Sequence, residues 1–314
     1  MTTRFKFYIS ILIVIHLNIN SLHIYAQESE PDYQTNSIPQ EINRTRLTYT
    51  ILGASSVYAG SMGGLYYAWY RDKPMTSFHL HNDARQWLQM DKGGHIVSSY
   101  YIGKLGYEAL RFSGVDEKRS TWFGGFTGSV FLFTVEIFDG FSPEYGASVS
   151  DFLANLLGSS IFILQQAAWQ EQRILLKYSY HNTKYPAYRP EVLGSNLAEK
   201  MIKDYNGISY WLSINPNSFG WKQAPKWLNI ALGYSADGMT GALGNISNDK
   251  LGNPIPDFNR RRQFLLSLDI DLTRIKTRSS AINSVFELLG FIKIPFPTLE
   301  FDSNKNFKFH PLYF

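Results

Sequence analysis

Three short clusters place carboxylates beside imidazole, ammonium or amide groups at helical spacing. They are Asp91-Lys92-Gly93-Gly94-His95, Glu136-Ile137-Phe138-Asp139, and Ser150-Asp151-Phe152-Leu153-Ala154-Asn155-Leu156-Leu157-Gly158. Asp91 and His95 are four residues apart, Glu136 and Asp139 three, Asp151 and Asn155 four. On a helix each pair lies on one face. Carboxylates are seldom buried without a partner. Three such pairs in apolar surroundings therefore imply a polar core shared by neighbouring helices.

Three chemistries compete for that core. The first is structural: Asp151 as a first-turn residue, Lys92 against Glu136 or Asp139, and Asn155 as a buried amide would fix how the helices pair. The second is a divalent-cation site with His95, Asp91, Glu136 and Asp139 as ligands. One imidazole and several carboxylates suit a hard or borderline ion, and helical bundles build such sites from facing helices. The Glu-x-x-His signature of di-metal bundles does not occur. The third is acid/base hydrolysis of a lipid or cell-wall component, with His95 as base oriented by Asp91, Glu136 or Asp139, and Asp151 in support. The G-x-S-x-G elbow, H-E-x-x-H and the phosphate-cradling G-x-x-x-x-G-K are all absent. Whether the protein is an enzyme therefore stays open at this stage.

The elements that position these groups are mostly apolar. Charged residues make up 18% of the 314 and aromatic residues 16%, a balance that points to an envelope protein with lipid-facing or otherwise exposed apolar surface. The net charge is +4, and Arg260-Arg261-Arg262 is the densest basic cluster. Nucleic-acid binding is not expected, because the basic stripe it needs is missing. Cysteine is absent, which excludes disulfides, thiolate zinc sites, cysteine nucleophiles and a lipid-modified cysteine.

Residues 1–26 read as a secretory signal peptide, with Arg4 and Lys6, an apolar run from Phe7 to Leu17, and Ile24-Tyr25-Ala26 before the cleavage point. A polar lead-in occupies 27–45. Leu47 to Tyr70 carries no charge, holds a G-x-x-x-G spacing at Gly60 and Gly64, and ends in Tyr66, Tyr67, Trp69 and Tyr70, as at a membrane interface. Gly94 to Phe112 is amphipathic. Thr121 to Val135 is uncharged with Gly124 and Gly128 on one side, and Phe152 to Gln170 is uncharged behind a Ser148 or Ser150 cap. The expected fold is mainly α: an antiparallel bundle of about four apolar, glycine-rich helices over 46–180, then a small antiparallel β-rich region over 181–314. Strand alternation is clear at Trp227–Tyr234 and Gln263–Leu272. Pro295 and Pro297 imply an edge or extended loop nearby. Three or four strands are visible, below the eight of a closed transmembrane barrel.

The spaced set Asp91-Lys92-Gly93-Gly94-His95, Glu136-Ile137-Phe138-Asp139 and Ser150 to Gly158 resembles the YfiM-like family of predicted periplasmic lipoproteins, which carry a domain of unknown function. The Asp-Lys-x-x-His opening and Asp-x-x-x-Asn-x-x-Gly close are also similar to VanZ-like membrane proteins. The resemblance covers roughly 45–175, and the C-terminal part looks like an extension found in members from the Bacteroidetes. It implies an exported protein of the periplasm or outer membrane, with an integral cytoplasmic-membrane protein as the alternative. Without cysteine, membrane attachment would have to come from the apolar helices. The expected role is structural or interactive, with a membrane and envelope proteins as partners; a metal-assisted or acid/base hydrolase is the alternative.

Overall fold

A computed structural model describes residues 41–67, 71 and 75–314. The signal-like run, the lead-in up to residue 40, Trp69, Tyr70 and Pro74 lie outside the described residues. The chain divides into two compact units. One holds residues up to Asn82 and Ser98–Glu171, the other Asp83–Val97 and Gln172–Phe314.

The first unit is helical. Helix α1 (Arg44–Leu65) starts on Asn43, whose side chain accepts the Arg46 N–H. Helix α2 (Met90–Phe112) contributes its residues from Ser98 onward. A short turn at Glu117–Arg119, capped by Asp116, runs through a π-helical stretch at Ser120–Gly124 towards α3 (Thr127–Gly140). Helix α4 (Val149–Trp169) opens on Ser148, whose hydroxyl accepts the Asp151 N–H at 3.0 Å. The Asp151 carboxylate thereby sits at the positive end of the helix.

Helices α3 and α4 run antiparallel, with Ser148 beside Glu136 and Ser159 beside Ser129. Their seams are lined by small residues. A Cβ on Gly128 would lie 2.0 Å from the Ser99 carbonyl oxygen, and one on Gly103 2.4 Å from that of Gly125, so only glycine permits this approach of α2 and α3. The glycines of α1 behave differently. A Cβ on Gly53, Gly60 or Gly63 would meet nothing within 4 Å. The close approach expected at the Gly60–Gly64 spacing is thus not made at Gly60. Instead α1 is held by side chains, with the Tyr58 hydroxyl donating to Thr134 at 2.9 Å and Thr50 bonded to Ser113 at 2.8 Å.

Burial on these helices is inverted relative to a water-soluble domain. On α4 the polar Asp151, Asn155, Ser159, Gln165 and Gln166 are buried, while Phe152, Leu153, Leu156, Leu157 and Leu164 are exposed. On α3 Ser129 and Glu136 are buried, while Val130, Phe133 and Ile137 are exposed. The periodicity is helical in both cases, and apart from Ala154, Phe162 and Ile163, which are buried on α4, most of the large apolar side chains point away from the unit's interior.

The second unit is a six-stranded antiparallel sheet in sequential order: β1 (Ile174–Tyr180), β2 (Ile208–Ile214), β3 (Leu228–Asp237), β4 (Arg261–Ile270), β5 (Phe296–Asp302) and β6 (Phe307–Tyr313). Six strands exceed the three or four legible in the sequence. Moreover, β1 belongs to the sheet, although the sequence reading ran the helical domain on to 180. Strand β5 is internal, not an edge: Pro297 is accommodated where the register with β6 shifts between Phe296 and Thr298, so no ladder hydrogen bond is required of it. The sheet curls strongly. The Tyr313 and Ser209 hydroxyls of β6 and β2 meet at 3.1 Å, and Tyr178 of β1 exchanges backbone hydrogen bonds with Phe291 and Lys293 ahead of β5.

Its concave side mixes buried polar groups with a Trp211–Ala231–Leu265–Tyr313 cluster, and its convex side is apolar. Along β4, Gln263, Ser267 and Asp269 are buried while Phe264, Leu266 and Leu268 are exposed. Registration extends that face across strands, aligning Leu212, Leu232, Leu266, Leu299 and Phe309 in one row over β2 to β6.

Candidate functional site

The predicted polar residues fall in both units. In the first, Ser99, Asn155 and Ser159 are fully buried. The Ser99 hydroxyl donates to the Asn155 carbonyl at 2.6 Å and lies 3.0 Å from the Ser159 hydroxyl. From α3, the Ser129 N–H donates to the Ser159 hydroxyl at 3.1 Å and the Ser129 hydroxyl to the Asn155 carbonyl at 2.9 Å. Three helices are therefore tied through one carbonyl and one hydroxyl of α4. These serines were not singled out in the sequence; the signal available was small polar residues at positions facing the glycines.

One end of this seam holds Glu136 and Asp151. Glu136 is buried and accepts the Ser148 N–H at 3.0 Å, so a single carboxylate receives the residue that caps α4. Asp151 is likewise buried, in the first turn of α4. Asp139 is half-buried, and its backbone carbonyl accepts Gly146 N–H at 2.9 Å in the α3–α4 connection. The other end holds a cluster absent from the sequence reading. Gln166 donates to Glu117 at 2.8 Å and to the Tyr107 hydroxyl at 3.0 Å, Tyr107 donates to Glu117, and Arg111 pairs with Glu117 at 3.2 Å.

In the second unit, Asp91 accepts the Tyr205 hydroxyl at 2.8 Å, and Lys92 bridges Asp83 at 2.7 Å and Asp91 at 3.1 Å. The Asp91 and Lys92 of the opening motif are thus tied by hydrogen bonds. Gly93 is required by Tyr210, whose ring would lie 2.4 Å from a Cβ there. His95 follows one turn after Asp91 and is half-buried. The chain enters α2 through Trp87, Leu88 and Gln89, all at positive φ. Such backbone persists only where its surroundings impose it. Here Trp87 N–H donates to Ala242, Tyr234 donates to the Leu88 carbonyl and Arg262 to the Gln89 side chain.

Within the concave face of the sheet, Lys177 and Asp269 form a fully buried ion pair at 2.7 Å. Asp269 also accepts the Ser213 hydroxyl at 2.6 Å and the Ile294 N–H at 3.2 Å. Lys293, stacked on Trp211, has its pKa pushed down to about 8 by burial, with Asp269 opposing the shift and Lys177 adding to it. Nearby His310 and Glu300 meet at 2.6 Å. Burial raises the Asp204 carboxyl and lowers the His181 imidazole.

Residues 81–167 match the model of a family described as predicted periplasmic lipoprotein (DUF2279). No curated protein and no solved structure matches. The matched stretch contains all three motif clusters, and the chain has no cysteine to carry a lipid. The description of the matched family as periplasmic fits an exported protein.

Proposed function

We propose that this exported protein is embedded in an envelope membrane through α1 to α4, a bundle of apolar, glycine-lined helices, and that its role is structural or interactive. The supporting observation is the inverted burial of α3 and α4. Two helical segments, Glu117–Gly140 and Val149–Trp169, are long and apolar enough to cross a bilayer. Ser129, Glu136, Asp151, Asn155 and Ser159 face inward with Phe162 and Ile163, while Val130, Phe133, Ile137, Phe152, Leu153, Leu156, Leu157 and Leu164 face outward. In hydrocarbon that arrangement satisfies every element: outward leucines meet lipid, and inward serines bond across helices, as small and polar residues do between membrane helices. Glu136, Asp139, Asp151 and Asn155 then specify packing, and the open glycine face of α1 is where a partner helix would fit.

Flotation of the full-length protein with phosphatidylcholine vesicles, after an alkaline wash, tests this. The account expects the protein in the lipid fraction; recovery in the wash as a folded, detergent-free monomer would overturn it.

A second reading is favoured by donor chemistry. Asp91 and His95, one helical turn apart in α2, supply a carboxylate and an imidazole, a pair that suits a divalent cation and could serve metal-assisted hydrolysis, with Glu136, Asp139 and Asp151 as the further candidates offered by the sequence. Metal content of protein purified without chelator or nickel, with melting followed before and after EDTA, decides it. Stoichiometric metal and a lowered melting point support the cation site. A metal-free protein with an unmoved melt removes it.

A further inference from the structure

We infer that the convex face of the C-terminal sheet is a second lipid-contacting surface, seated on a leaflet with anionic headgroups. This reading is independent of the helical unit. Its first support is the alternation itself. A sheet with one wet face buries its apolar side chains and exposes its polar ones. Here β3, β4 and β5 expose a run of apolar side chains and bury Asn229, Ser235, Gln263, Ser267, Asp269, Thr298 and Glu300, although Trp211, Ala231 and Leu265 are buried as well. The row Leu212, Leu232, Leu266, Leu299 and Phe309 is about two-fifths to three-fifths exposed, while the concave face holds the Lys177–Asp269 pair and its hydroxyl partners. An apolar patch of this extent marks an interaction surface.

The second support says what covers it. Strand register places the β2–β3 and β4–β5 connections at the same end of the sheet, since Leu228 pairs with Ile270. That end exposes Trp221 and Trp227 beside Lys222 and Lys226, and Lys276 and Arg278 ahead of helix α5 (Ser280–Leu289). Helix α5 in turn exposes Ile282, Val285 and Leu289 on one side. The carboxylates there are engaged: Asp271 pairs with Arg274 and Glu287 with Lys276. Tryptophan with lysine, beside an amphipathic helix, is the chemistry of a headgroup interface, where rings sit at the boundary and ammonium groups meet phosphate. A protein partner with an acidic rim is the competing occupant. A lipid leaflet fits better because the apolar band runs unbroken across five strands from this rim.

The absence of cysteine makes the test clean, since each introduced thiol is unique. Nitroxide labels at Leu232→Cys, Leu266→Cys and Leu299→Cys, in full-length protein with phosphatidylcholine–phosphatidylglycerol vesicles, should collide with oxygen and be shielded from a water-soluble nickel chelate. An inward label at Ser267→Cys should be shielded from the chelate without gaining oxygen. Replacing Lys222, Lys226 and Arg278 by glutamine should lower the partition coefficient of the sheet face onto anionic vesicles by about fivefold per cation. Outward labels open to the chelate, or shielded from both reagents as by a protein partner, would overturn the inference. A reference label at Leu157→Cys on α4 separates the two readings. If it meets lipid while the sheet labels do not, only the sheet inference falls.

Discussion

Placing two arginines on the outer face of α4, as Leu153→Arg with Leu157→Arg, separates a water-facing helix from a lipid-facing one by several kcal/mol. Both leucines are at least half exposed and lie in the first half of a 21-residue helix, clear of the buried Asp151–Asn155–Ser159 side. On a soluble surface such changes stay within about 0.5 kcal/mol each and improve solubility. At the centre of a bilayer an arginine costs roughly 2.5–3.5 kcal/mol and less towards the interface, so Leu157→Arg near mid-helix costs about 3 and Leu153→Arg, one turn from the helix start, about 1–2. The opposing term follows from the structure. Ten outward side chains, from Trp122 and Phe123 through Val130, Phe133 and Ile137 to the five on α4, are about half exposed. At about 2 kcal/mol for full burial, their transfer into lipid contributes on the order of 10 kcal/mol. The double variant should therefore remove about half of the insertion energy of this pair of helices. Synthesis in a cell-free system with liposomes, followed by flotation, reads this directly: wild type in the lipid fraction, the double variant substantially released. Equal flotation of both proteins, or a wild type already soluble and folded without lipid, would refute the reasoning.

Three further outcomes follow from the same contacts. Gly128→Ala forces a methyl group against the Ser99 carbonyl and should destabilise the helical unit by about 1–3 kcal/mol, seen as a lower midpoint in thermal unfolding in detergent, whereas Gly60→Ala should be near neutral. Asp269→Ala leaves the Lys177 ammonium buried without its partner and should cost about 3–5 kcal/mol, measured by denaturant unfolding of the sheet. Lys293→Met should stabilise the sheet at pH 7. The folded pKa, about 8, lies below the ordinary 10.5, so this lysine contributes stability above 10.5 that is lost as pH falls through 8. Below that the buried ammonium costs up to about 3 kcal/mol, so the variant's advantage should shrink as pH rises from 8 to 10.5. An advantage constant across that range would contradict the assignment.

The sequence made the long helices legible because each is an uncharged run bounded by caps or breakers. Gly94 to Phe112 falls within α2, and Phe152 to Gln170 overlaps α4, with Ser148 as its cap. The stretch around Thr121 was less legible, since its start is a π-helical turn with no sequence marker. In the sheet, β3 and β4 showed alternation, but β1 and β2, Ile-Leu-Leu-Lys-Tyr-Ser-Tyr and Ile-Ser-Tyr-Trp-Leu-Ser-Ile, bury lysine and serine among their apolar residues and so broke the pattern. Alternation also cannot say which face is inside: the outward Phe264–Leu266–Leu268 series reads the same as a core-facing one. At the polar core, Glu136, Asp151 and Asn155 were legible as charged or amide residues within apolar runs. Ser99, Ser129 and Ser159 were not, because a serine signals nothing until a second helix comes within hydrogen-bond reach.

The central claim is that α4 turns its leucines to lipid, and the most direct measurement is an accessibility scan of that helix. Single cysteines at successive positions from 149 to 169, labelled with nitroxide in the vesicle-bound full-length protein, would give oxygen and nickel-chelate collision rates residue by residue. The account predicts a 3.6-residue oscillation in oxygen contact, with maxima at 153, 156, 157 and 164, minima at 151, 155 and 159, and the chelate excluded at the maxima. The same oscillation with the chelate colliding freely at 153, 156 and 157 would place that face in water and contradict the account.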